Sequence, residues 1–546
     1  MSARGTEIDG GAATIEGAQV AGRLPAARAP TPGVPRPCAL VSMSESEEQR
    51  AIRQRHREAH TEALLTVEIG PWIDGETRER DERVATRDPV IDEAIVDVPA
   101  CDADTVDHAV DAAWQAYERQ WGESTPSERS RRLSEWADAL DDRLDELTRL
   151  ESLDTGKPLA DARSEVEGTI ATIRYYASVV RAQTGEQIPV DRQLHLYTRS
   201  EPYGVVGQVT PWNFPAWAAA WKLAPALAAG NCAVLKPSVH APLSTLRMVQ
   251  LSKGILPDGV VNVVTGRGST TGSHLVEHGD VRKVSFTGSE GVGAEVMRAA
   301  AGRIAPVTLE LGGKSPLVVF PDADLETAVD AAADGVYYSS GEICDALSRV
   351  LVHEEIHDEF VDQFVERSRE YVLGDPLEES TTMGPLTTAE QFETVVEYIE
   401  TGKSEGASLE VGGGQPDDPS LGDGHYVEPT AFADVDNGMR IAREEIFGPV
   451  QTVQSFETYE EAIELANDTE YGLAAGIATE STDRVHAAAA DVDAGVVYVN
   501  GYGPIRPEGP YGGFKRSGIG RDLGEEAIEH YRQTKTVYVN LDDPSR

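Results

Sequence analysis

Cys344 has the sequence surroundings of a reactive thiol. It lies in SSGEICDALSR, after a glycine turn, among polar neighbours and outside any apolar strand. A thiolate is a good nucleophile when its pKa is lowered or when a base lies nearby. A cysteine packed as a small core residue is the alternative, and the spacing alone leaves both interpretations open.

Two further residues could assist such a nucleophile. Glu310 ends an apolar strand in VTLELGGKSP, where a partly desolvated carboxylate can act as a general base. Asn213 lies in TPWNFP, where a rigidly held amide could stabilise an oxyanion. The plainer alternatives are a solvated glutamate at a strand end and an asparagine that only shapes a turn.

Two segments could bind a phosphate group. FTGSEGVG, residues 286–293, predicts a strand-to-helix junction whose backbone N–H groups and helix dipole face a phosphate. LKPS, residues 235–238, follows the preceding strand, and Lys236 could reach a ribose or a phosphate. Neither segment has the standard GxGxxG spacing, so each is a weak signal by itself.

These residues fall at strand ends within an alternating pattern. From about 203 to 312 apolar strands alternate with helical segments, and the alternation resumes from 320 to about 500. Such alternation indicates βαβ units in a parallel sheet, which binds ligands at the carboxyl ends of its strands. Residues 104–153 and 158–183 predict amphipathic helices, and the tail TKTVYVNL predicts a strand.

The composition excludes several classes of protein. The 546 residues include 93 acidic and 48 basic ones, for a net charge of −45, and 40% are hydrophobic. That content rules out a disordered chain, and the charge opposes binding to nucleic acid or anionic lipid. The sequence shows no apolar run near the roughly 18 residues of a membrane span and no secretory signal, so we expect a cytoplasmic protein without membrane partners.

The basic residues are divided unevenly, since nine are lysine and 39 are arginine. An acidic surface that is poor in lysine suits a cell with high internal salt, where screening reduces self-repulsion. We therefore expect a halophilic protein. An acidic protein from a low-salt cell is the alternative.

Cysteine usage indicates a reducing compartment, because four cysteines are too few for a disulfide framework. They are Cys38, Cys101, Cys232 and Cys344. No close cluster of cysteine and histidine predicts zinc, so no metal is expected. Residues 1–42 are rich in Ala, Gly, Pro and Arg and lack periodicity, which predicts a disordered extension, or an untranslated one if Met43 is the start.

Taken in order, the motifs resemble those of one family. From about residue 60 onward the chain is similar to the aldehyde dehydrogenase superfamily. The motifs that carry the resemblance have the family's order and usual separations, and they are TPWNFP, LKPS, FTGSEGVG, LELGGKSP, GEIC, EEIFGPV and YGGFKRSGIGRDLG.

The resemblance implies a catalytic set. Cys344 would attack the aldehyde carbonyl, and Asn213 together with the cysteine's own N–H would hold the oxyanion. Glu310 would activate the water that hydrolyses the thioester, so that the product is a carboxylate. Lys222 matches a lysine that supports the proton network. Asp522 stands where the family has a glutamate, which is one methylene longer, and this puts the proton relay in doubt.

The resemblance also implies NAD or NADP as cofactor. The residues at its cofactor positions are Trp212, Lys236, Ser238, Val239, Gly268, Gly272, Gly288, Ser289, Gln391, Glu445 and Phe447. Members that prefer NAD usually have a glutamate at the Val239 position, and its carboxylate binds the adenine ribose. Because the loss of this glutamate also removes a repulsion against the 2′-phosphate of NADP, we expect NADP to be accepted. A mere weakening of NAD binding is the alternative.

Five residues are expected along the substrate channel, namely Phe214, Trp217, Trp221, Asp345 and Tyr502. Asp345 departs from the family, which usually has a small or neutral residue after the cysteine. A carboxylate there would raise the thiol pKa, repel anionic substrates and, with the aromatic rings, favour a cationic one. This supports betaine aldehyde, an aminoaldehyde or another cationic or hydroxylated aldehyde, and a broad-range apolar channel with one unusual acid is the alternative.

By resemblance the fold class is α/β, with a Rossmann-like cofactor domain, an α/β catalytic domain and a small β oligomerisation flap. The expected boundaries are 52–183 and 203–312 for the cofactor domain, 313–529 for the catalytic domain, and 184–202 with 530–546 for the flap. The flap and the tail are expected to pair across the subunits of a homodimer or homotetramer, because exposed strand edges bind partners.

Two other functions stay open at this point. A CoA-acylating relative would pass its thioester to CoA, but such relatives generally lack the base that Glu310 supplies. A non-catalytic structural or stress protein would keep only the fold and the cofactor binding. Cys344, Glu310 and Asn213 are all present here, which opposes that alternative.

Overall fold

The computed structural model describes residues 46–541, except residue 504. The predicted extension 1–42 and the last residues of the predicted flap, 542–546, lie outside the described residues. Within them no helix is long and apolar enough to cross a bilayer.

The chain alternates helices and strands along most of its length. The helices are α1 Glu47–Thr66, α2 Ala103–Ala116, α3 Pro126–Asp141, α4 Leu144–Thr155, α5 Leu159–Val179, α6 Pro215–Ala229, α7 Leu243–Gln250, α8 Ser273–Glu277, α9 Glu290–Ala301, α10 Leu325–Tyr337, α11 His357–Ser368, α12 Ala389–Glu405, α13 Arg440–Arg443, α14 Tyr459–Asn467, α15 Thr482–Asp491 and α16 Glu526–His530. The strands are β1 Trp72–Ile73, β2 Glu76–Thr77, β3 Arg83–Asp88, β4 Glu93–Pro99, β5 Gln187–Ile188, β6 Leu194–Pro202, β7 Val205–Val209, β8 Cys232–Lys236, β9 Val261–Val263, β10 Lys283–Thr287, β11 Val307–Glu310, β12 Pro316–Val319, β13 Arg349–His353, β14 Ser408–Val411, β15 Thr430–Ala433, β16 Val450–Phe456, β17 Ala474–Ala478, β18 Val496–Val499, β19 Gly518–Ile519 and β20 Arg532–Asn540.

The first sheet has eight strands in the order β19-β11-β10-β7-β8-β9-β1-β2. The five strands from β7 to β11 are parallel, and β1, β2 and β19 join antiparallel at the edges. β7 and β8 are buried at every position, as expected for strands covered by helices on both faces. The predicted α/β class is confirmed, and Glu310 stands at the carboxyl end of β11.

The second sheet has seven strands in the order β14-β15-β16-β13-β12-β17-β18. All neighbours are parallel except β14, which pairs antiparallel with β15. Cys344 lies in the loop that enters β13. The strands of the two sheets separate at about residue 312, except that β19, from the segment predicted as catalytic, pairs with β11 of the first sheet.

The third sheet joins the predicted flap to the tail. β20 pairs antiparallel with β6 along nine residues, from Arg532 opposite Pro202 to Asn540 opposite Leu194, and β5 covers the other side of β6. The sequence led us to expect this pairing across subunits. The structure instead makes this pairing within one chain, where β6 and β20 form one continuous antiparallel ladder.

The helical character predicted over 104–153 is confirmed, but the segment does not form one continuous helix. Three helices, α2, α3 and α4, occupy that segment. Thr125 caps the start of α3, where its hydroxyl accepts a hydrogen bond from the Glu128 N–H at 3.2 Å, and Pro126 takes the first helical position. The capping threonine and the proline are ordinary start signals of a helix. They begin a new helix here although the amphipathic pattern continues without a break. The second prediction, 158–183, corresponds to α5 and a short 3₁₀ turn.

Candidate active site

One cavity of about 440 Å³ collects most of the predicted site residues. It lies at the carboxyl ends of β7, β10 and β11. The predicted residues that line it are Trp212, Asn213, Phe214, Trp217, Trp221, Gly288, Ser289, Glu310, Cys344, Asp345, Gln391, Glu445 and Phe447. Those placed elsewhere are Lys222, Lys236, Ser238, Val239, Gly268, Gly272 and Tyr502. A larger open groove between α1 and α4, of about 940 Å³, contains none of the predicted residues.

A tight turn after α10 carries Cys344 to the cavity. Ser339, Ser340 and Gly341 all have left-handed backbone angles, with φ of 49°, 54° and 77°. A side chain at Gly341 would collide with the Gly448 backbone, so glycine is required there. The turn leaves the Cys344 thiol half-buried, which agrees with a nucleophile that a small molecule can reach.

The Cys344 thiol has one direct polar neighbour. Its Sγ lies 3.3 Å from the Tyr511 hydroxyl, a residue that the sequence analysis did not single out although it lies in the quoted YGGF motif. Burial raises the pKa of the Cys344 thiol, and the Asp345 charge raises it further, whereas the hydrogen bond from Tyr511 lowers it. In this state the thiol form is therefore favoured.

Asn213 is fixed from two sides. Its Nδ2 donates to the Glu342 carbonyl at 2.8 Å, in the loop of the nucleophile. The Lys157 ammonium contacts the backbone carbonyl oxygen of Asn213 and the Glu165 carboxylate. It lies 4.2 Å from the centre of the Phe214 ring. A primary amide has two N–H groups, so one remains for an oxyanion. The sequence analysis missed this support, because its members are distant along the chain.

Glu310 is a buried carboxylate that is 4% exposed. Neither of its oxygens has a hydrogen-bond partner among the described residues. Burial raises its pKa well above the ordinary value, the Asp522 charge raises it further, and the Lys222 charge lowers it. Such a group has both carboxylate oxygens free to accept a hydrogen bond from water, which suits a general base.

Lys222 forms a buried ion pair whose charges act on the base, Glu310. Its Nζ lies 2.9 Å from the Asp522 carboxylate and 3.0 Å from the Ser285 hydroxyl, and it is fully buried. The shorter aspartate therefore still reaches the lysine. Whether the pair transfers protons stays a prediction.

The residues beside the nucleophile loop could hold a nicotinamide and its ribose. The Trp212 and Phe447 rings meet edge to face at 5.4 Å. Glu445 accepts a hydrogen bond from the Gly313 N–H at 3.1 Å, and burial raises its pKa to about 7. The Gln391 amide donates to the Ile446 and Phe447 carbonyls at 2.9 and 2.8 Å, so its nitrogen fixes this loop rather than facing a sugar.

A phosphate fits at the N-terminus of α9. Ser289 is its N-cap, yet no side chain caps the helix, so N–H groups remain free beside Gly288 in the cavity wall. The buried Lys236 donates to the Pro237 carbonyl at 2.7 Å, and burial lowers its pKa to about 8. A side chain at Gly272 would come within 3.2 Å of the Lys236 stem, so these two predicted residues are neighbours.

The remaining positions predicted for the adenine half are more peripheral. The Ser238 hydroxyl accepts a hydrogen bond from the His240 N–H at 3.2 Å, Val239 is half-buried, and Gly268 is exposed with open space around it. This open surface can accommodate a sugar or a phosphate, which agrees with a dinucleotide that extends from the cavity.

The channel wall differs from the prediction at one place. Trp217, Trp221 and Tyr511 form a chain of edge contacts, with ring centres 5.5 and 5.0 Å apart, and Tyr511 rather than Tyr502 faces the cavity. Tyr502 instead donates to the Asp345 carboxylate at 3.1 Å, because it lies behind that group. The Tyr498 hydroxyl donates to the same carboxylate at 2.7 Å. Asp345 is 1% exposed, so the predicted charge beside the thiol is held by tyrosines.

A separate histidine cluster attaches α1. His56, His60 and Asp88 bring their ligand atoms within 4.8 Å of one another, the kind of grouping that could hold a metal. His56 places Nδ1 2.6 Å from Asp88 and Nε2 2.9 Å from Asp375, and His60 lies 2.7 Å from Asp88. Because carboxylates only accept, both nitrogens of His56 donate. Burial acts to lower the pKa of His56, but the two acids outweigh it and raise that pKa to about 9. Hydrogen bonds thus account for the cluster.

Comparison with known proteins agrees with this geometry. The family model described as "Aldehyde dehydrogenase family" matches residues 72–537. A mutant form of aldehyde dehydrogenase from Bacillus cereus is 42% identical, with a TM-score of 0.86 over 88% of this chain and 98% of that one, and an NAD+ complex of aldehyde dehydrogenase from that organism matches equally well. Betaine aldehyde dehydrogenase from Staphylococcus aureus, solved with NAD+, is 37% identical, with a TM-score of 0.87 over 89% of this chain and 98% of that one. This chain therefore belongs to the aldehyde dehydrogenase family and is an NAD(P)-dependent enzyme of that family.

Proposed function

We propose that the enzyme oxidises a cationic aldehyde, betaine aldehyde or an aminoaldehyde, to its carboxylate through a thioester on Cys344. The observation that carries the proposal is the shared cavity of Cys344, Asn213 and Glu310, with both oxygens of Glu310 unpartnered among the described residues. A nucleophile, an oxyanion donor and a free base at one cavity suit acyl transfer to water.

The first step uses Cys344 and Asn213. The thiol loses its proton to water, the thiolate sulfur bonds to the aldehyde carbon, and the carbonyl electron pair moves to oxygen. The second N–H of the Asn213 amide and the Cys344 backbone N–H hold that oxyanion. Lys157 holds the Asn213 backbone carbonyl and the Glu342 carbonyl accepts from the side-chain amide, which limits the cost of orienting that amide.

When bound, NAD or NADP supplies the acceptor for the hydride that leaves the adduct. The residues that would hold it are Trp212, Lys236, Ser238, Val239, Gly268, Gly272, Gly288, Ser289, Gln391, Glu445 and Phe447. Among them the uncapped start of α9 suits the pyrophosphate, and the Glu445 carboxylate suits the ribose hydroxyls. Because Val239 has no charge, we propose that both NAD and NADP are accepted.

The last step uses Glu310. Its carboxylate takes a proton from water, the water oxygen bonds to the thioester carbon, and the carbon–sulfur bond breaks to return the Cys344 thiolate and a carboxylate product. The charges of Lys222 and Asp522 act on Glu310 in opposite directions and set the pH at which it is free of its proton.

The lining of the cavity supports a cationic substrate. It includes four acids, Glu310, Asp345, Glu390 and Glu445, and neither lysine nor arginine among the described residues. Aromatic rings, among them Trp217, Trp221 and Tyr511, form part of the same wall, and rings beside a negative charge attract an ammonium group. The similarity to a betaine aldehyde dehydrogenase points the same way. A broad-range aldehyde dehydrogenase remains the second candidate, since apolar side chains such as Leu311 and Ile343 also line the cavity.

The test is a matched pair of aldehydes, betaine aldehyde and its uncharged isostere 3,3-dimethylbutanal, followed by the absorbance of the reduced cofactor in high KCl. We expect kcat/KM to favour the cation by about tenfold or more, which corresponds to about 1.4 kcal/mol. Succinate semialdehyde, an anion, should be the poorest substrate. Equal rates for the isosteres would overturn the substrate assignment and favour the broad-range candidate. Each aldehyde is measured with NAD and with NADP.

Three wider expectations are kept as proposals. We propose a cytoplasmic homodimer or homotetramer, since β5 and β20 form the edges of the third sheet, and a halophilic protein, since the net charge is −45. We also keep the domain boundaries predicted above as a proposal, with β19 as the strand that crosses them.

A further inference from the structure

The acidic lining of the cavity creates a difficulty for its own nucleophile. The groups whose charges act on Cys344 are Asp345, Glu445 and Glu310, and Tyr511 is its polar contact. No lysine or arginine lines the cavity among the described residues. A thiolate needs a nearby cation or donor to form, and the enzyme without substrate offers it chiefly a tyrosine hydroxyl.

Asp345 is the acid closest along the chain to the thiol, and it is rigidly placed. Tyr498 and Tyr502 donate to its two oxygens at 2.7 and 3.1 Å, and the residue is 1% exposed. Burial raises the pKa of Asp345, and the two tyrosine donors act in the opposite direction by stabilising its anion. A fixed, buried negative charge next to the sulfur opposes a second negative charge there.

We propose that Asp345 restrains Cys344 in its thiol form and that the cationic group of the substrate releases it. Asp345 is thus a positioning residue, and its charge acts on the reaction through the Cys344 thiol. The inference rests on the proposed cationic substrate and deepens it.

The geometry allows the release because the cavity is small. In betaine aldehyde one methylene separates the carbonyl carbon from the ammonium group, so a carbonyl at the Cys344 sulfur keeps the cation within the cavity that Asp345, Trp221 and Tyr511 line. The cation then offsets the Asp345 charge, because opposite charges attract each other strongly in a site that excludes water. Substrate charge would therefore select by reactivity as well as by binding.

The test is the pH dependence of Cys344 alkylation by iodoacetamide, which is uncharged. It is measured on the whole enzyme alone, with choline, and with 3,3-dimethylbutan-1-ol, which has the same shape without the charge. A Cys344→Ala variant gives the background from the other cysteines. Asp345→Asn removes the charge and keeps the shape, and Asp111→Asn is the matched control at an exposed acid outside the cavity.

We expect choline to lower the apparent pKa of alkylation by about one to two, and the alcohol to leave it unchanged. In Asp345→Asn the apparent pKa should already be lower, and choline should lower it further by less than in the wild type. Asp111→Asn should behave like the wild type. An unchanged profile with choline, or an equal effect of the alcohol, would overturn the inference, and this comparison needs no variant to fold.

The two proposals fail separately. A choline effect without turnover of betaine aldehyde would support the inference and sink the substrate assignment. Turnover of betaine aldehyde without a choline effect on Cys344 would do the reverse.

Discussion

Glu310 and Cys344 are both acids whose surroundings favour the neutral form. The reaction needs the charged form of each at a different moment: the thiolate for attack and the carboxylate for hydrolysis. The nearby charges decide how easily each form is reached, and they come from residues that lie far apart in the sequence. The pH dependence of the rate should therefore depend on residues that never touch the substrate.

Asp522→Asn should shift the alkaline rise of the hydrolysis rate to lower pH. Glu310 acts as a base above its pKa, and the Asp522 charge raises that pKa, so removing the charge lets Glu310 lose its proton sooner. Lys222→Met should shift the rise to higher pH, because the lysine charge lowers the same pKa. The measurement is kcat against pH for the wild type and both variants. Shifts in the same direction for both variants, with unchanged thermal stability, would contradict this electrostatic account.

Cys344, Asn213 and Glu310 were predicted from the sequence because each lies in a short motif that resembles one of the family's motifs. Their supports were not. Lys157 is 56 residues from the carbonyl that it contacts, and Tyr498 is 153 residues from Asp345. Nothing local marks such a pair, since only the completed fold brings the partners together. Tyr511 could have been noted, because its motif was already in view.

At the scale of elements, the alternation of strands and helices was sufficient to predict the two large sheets. Helix ends were harder, since Thr125 and Pro126 interrupt a pattern that is amphipathic throughout. The attachment of α1 could not be predicted, because His56 meets Asp88 and Asp375 across 32 and 319 residues. α1 also precedes the segment that the family model matches.

The clamp of His56 between Asp88 and Asp375 should make stability fall in mild alkali. Its pKa is raised from 6.5 to about 9, so its contribution is fully present below about pH 6.5 and is lost as the pH rises through about 9. The shift corresponds to about 3 kcal/mol, counted on this one partner. Thermal unfolding between pH 6 and pH 10 should show the loss.

His56→Gln should lower the unfolding temperature at pH 6 and flatten this pH dependence. His274→Gln is the matched control, because its 2.8 Å contact with Asp107 lies at the surface and such pairs contribute little. If His56→Gln loses stability equally at pH 6 and pH 10, the imidazolium is not what holds α1.

At the scale of the whole molecule, the net charge of −45 is the dominant feature. Many arginines pair with acids at the surface, as Arg57 does with Glu93 at 2.7 Å, but 93 acidic residues face only 48 basic ones, so a large negative charge stays uncompensated. Uncompensated like charges repel one another in the folded state, and salt screens them. The charge was readable from composition, whereas its consequence depends on the solvent.

The unfolding temperature should rise by about 5 °C or more between about 0.1 M and about 3 M KCl, because screening relieves this repulsion. Sucrose at matched osmolality separates screening from general exclusion of solute, and it should give the smaller effect. A stability that responds equally to sucrose and KCl, or not at all to salt, would place the protein among acidic proteins of low-salt cells.

The central claim is a thioester on Cys344 that Glu310 resolves, and Glu310→Gln tests it most directly. After rapid mixing with aldehyde and cofactor, we expect a burst of about one reduced cofactor per active site. Turnover should then be slower than in the wild type by about 10²–10⁴-fold. Intact mass and peptide mapping should show one acyl group on Cys344. Steady turnover by Glu310→Gln with no burst and no acyl group on Cys344 would contradict the account.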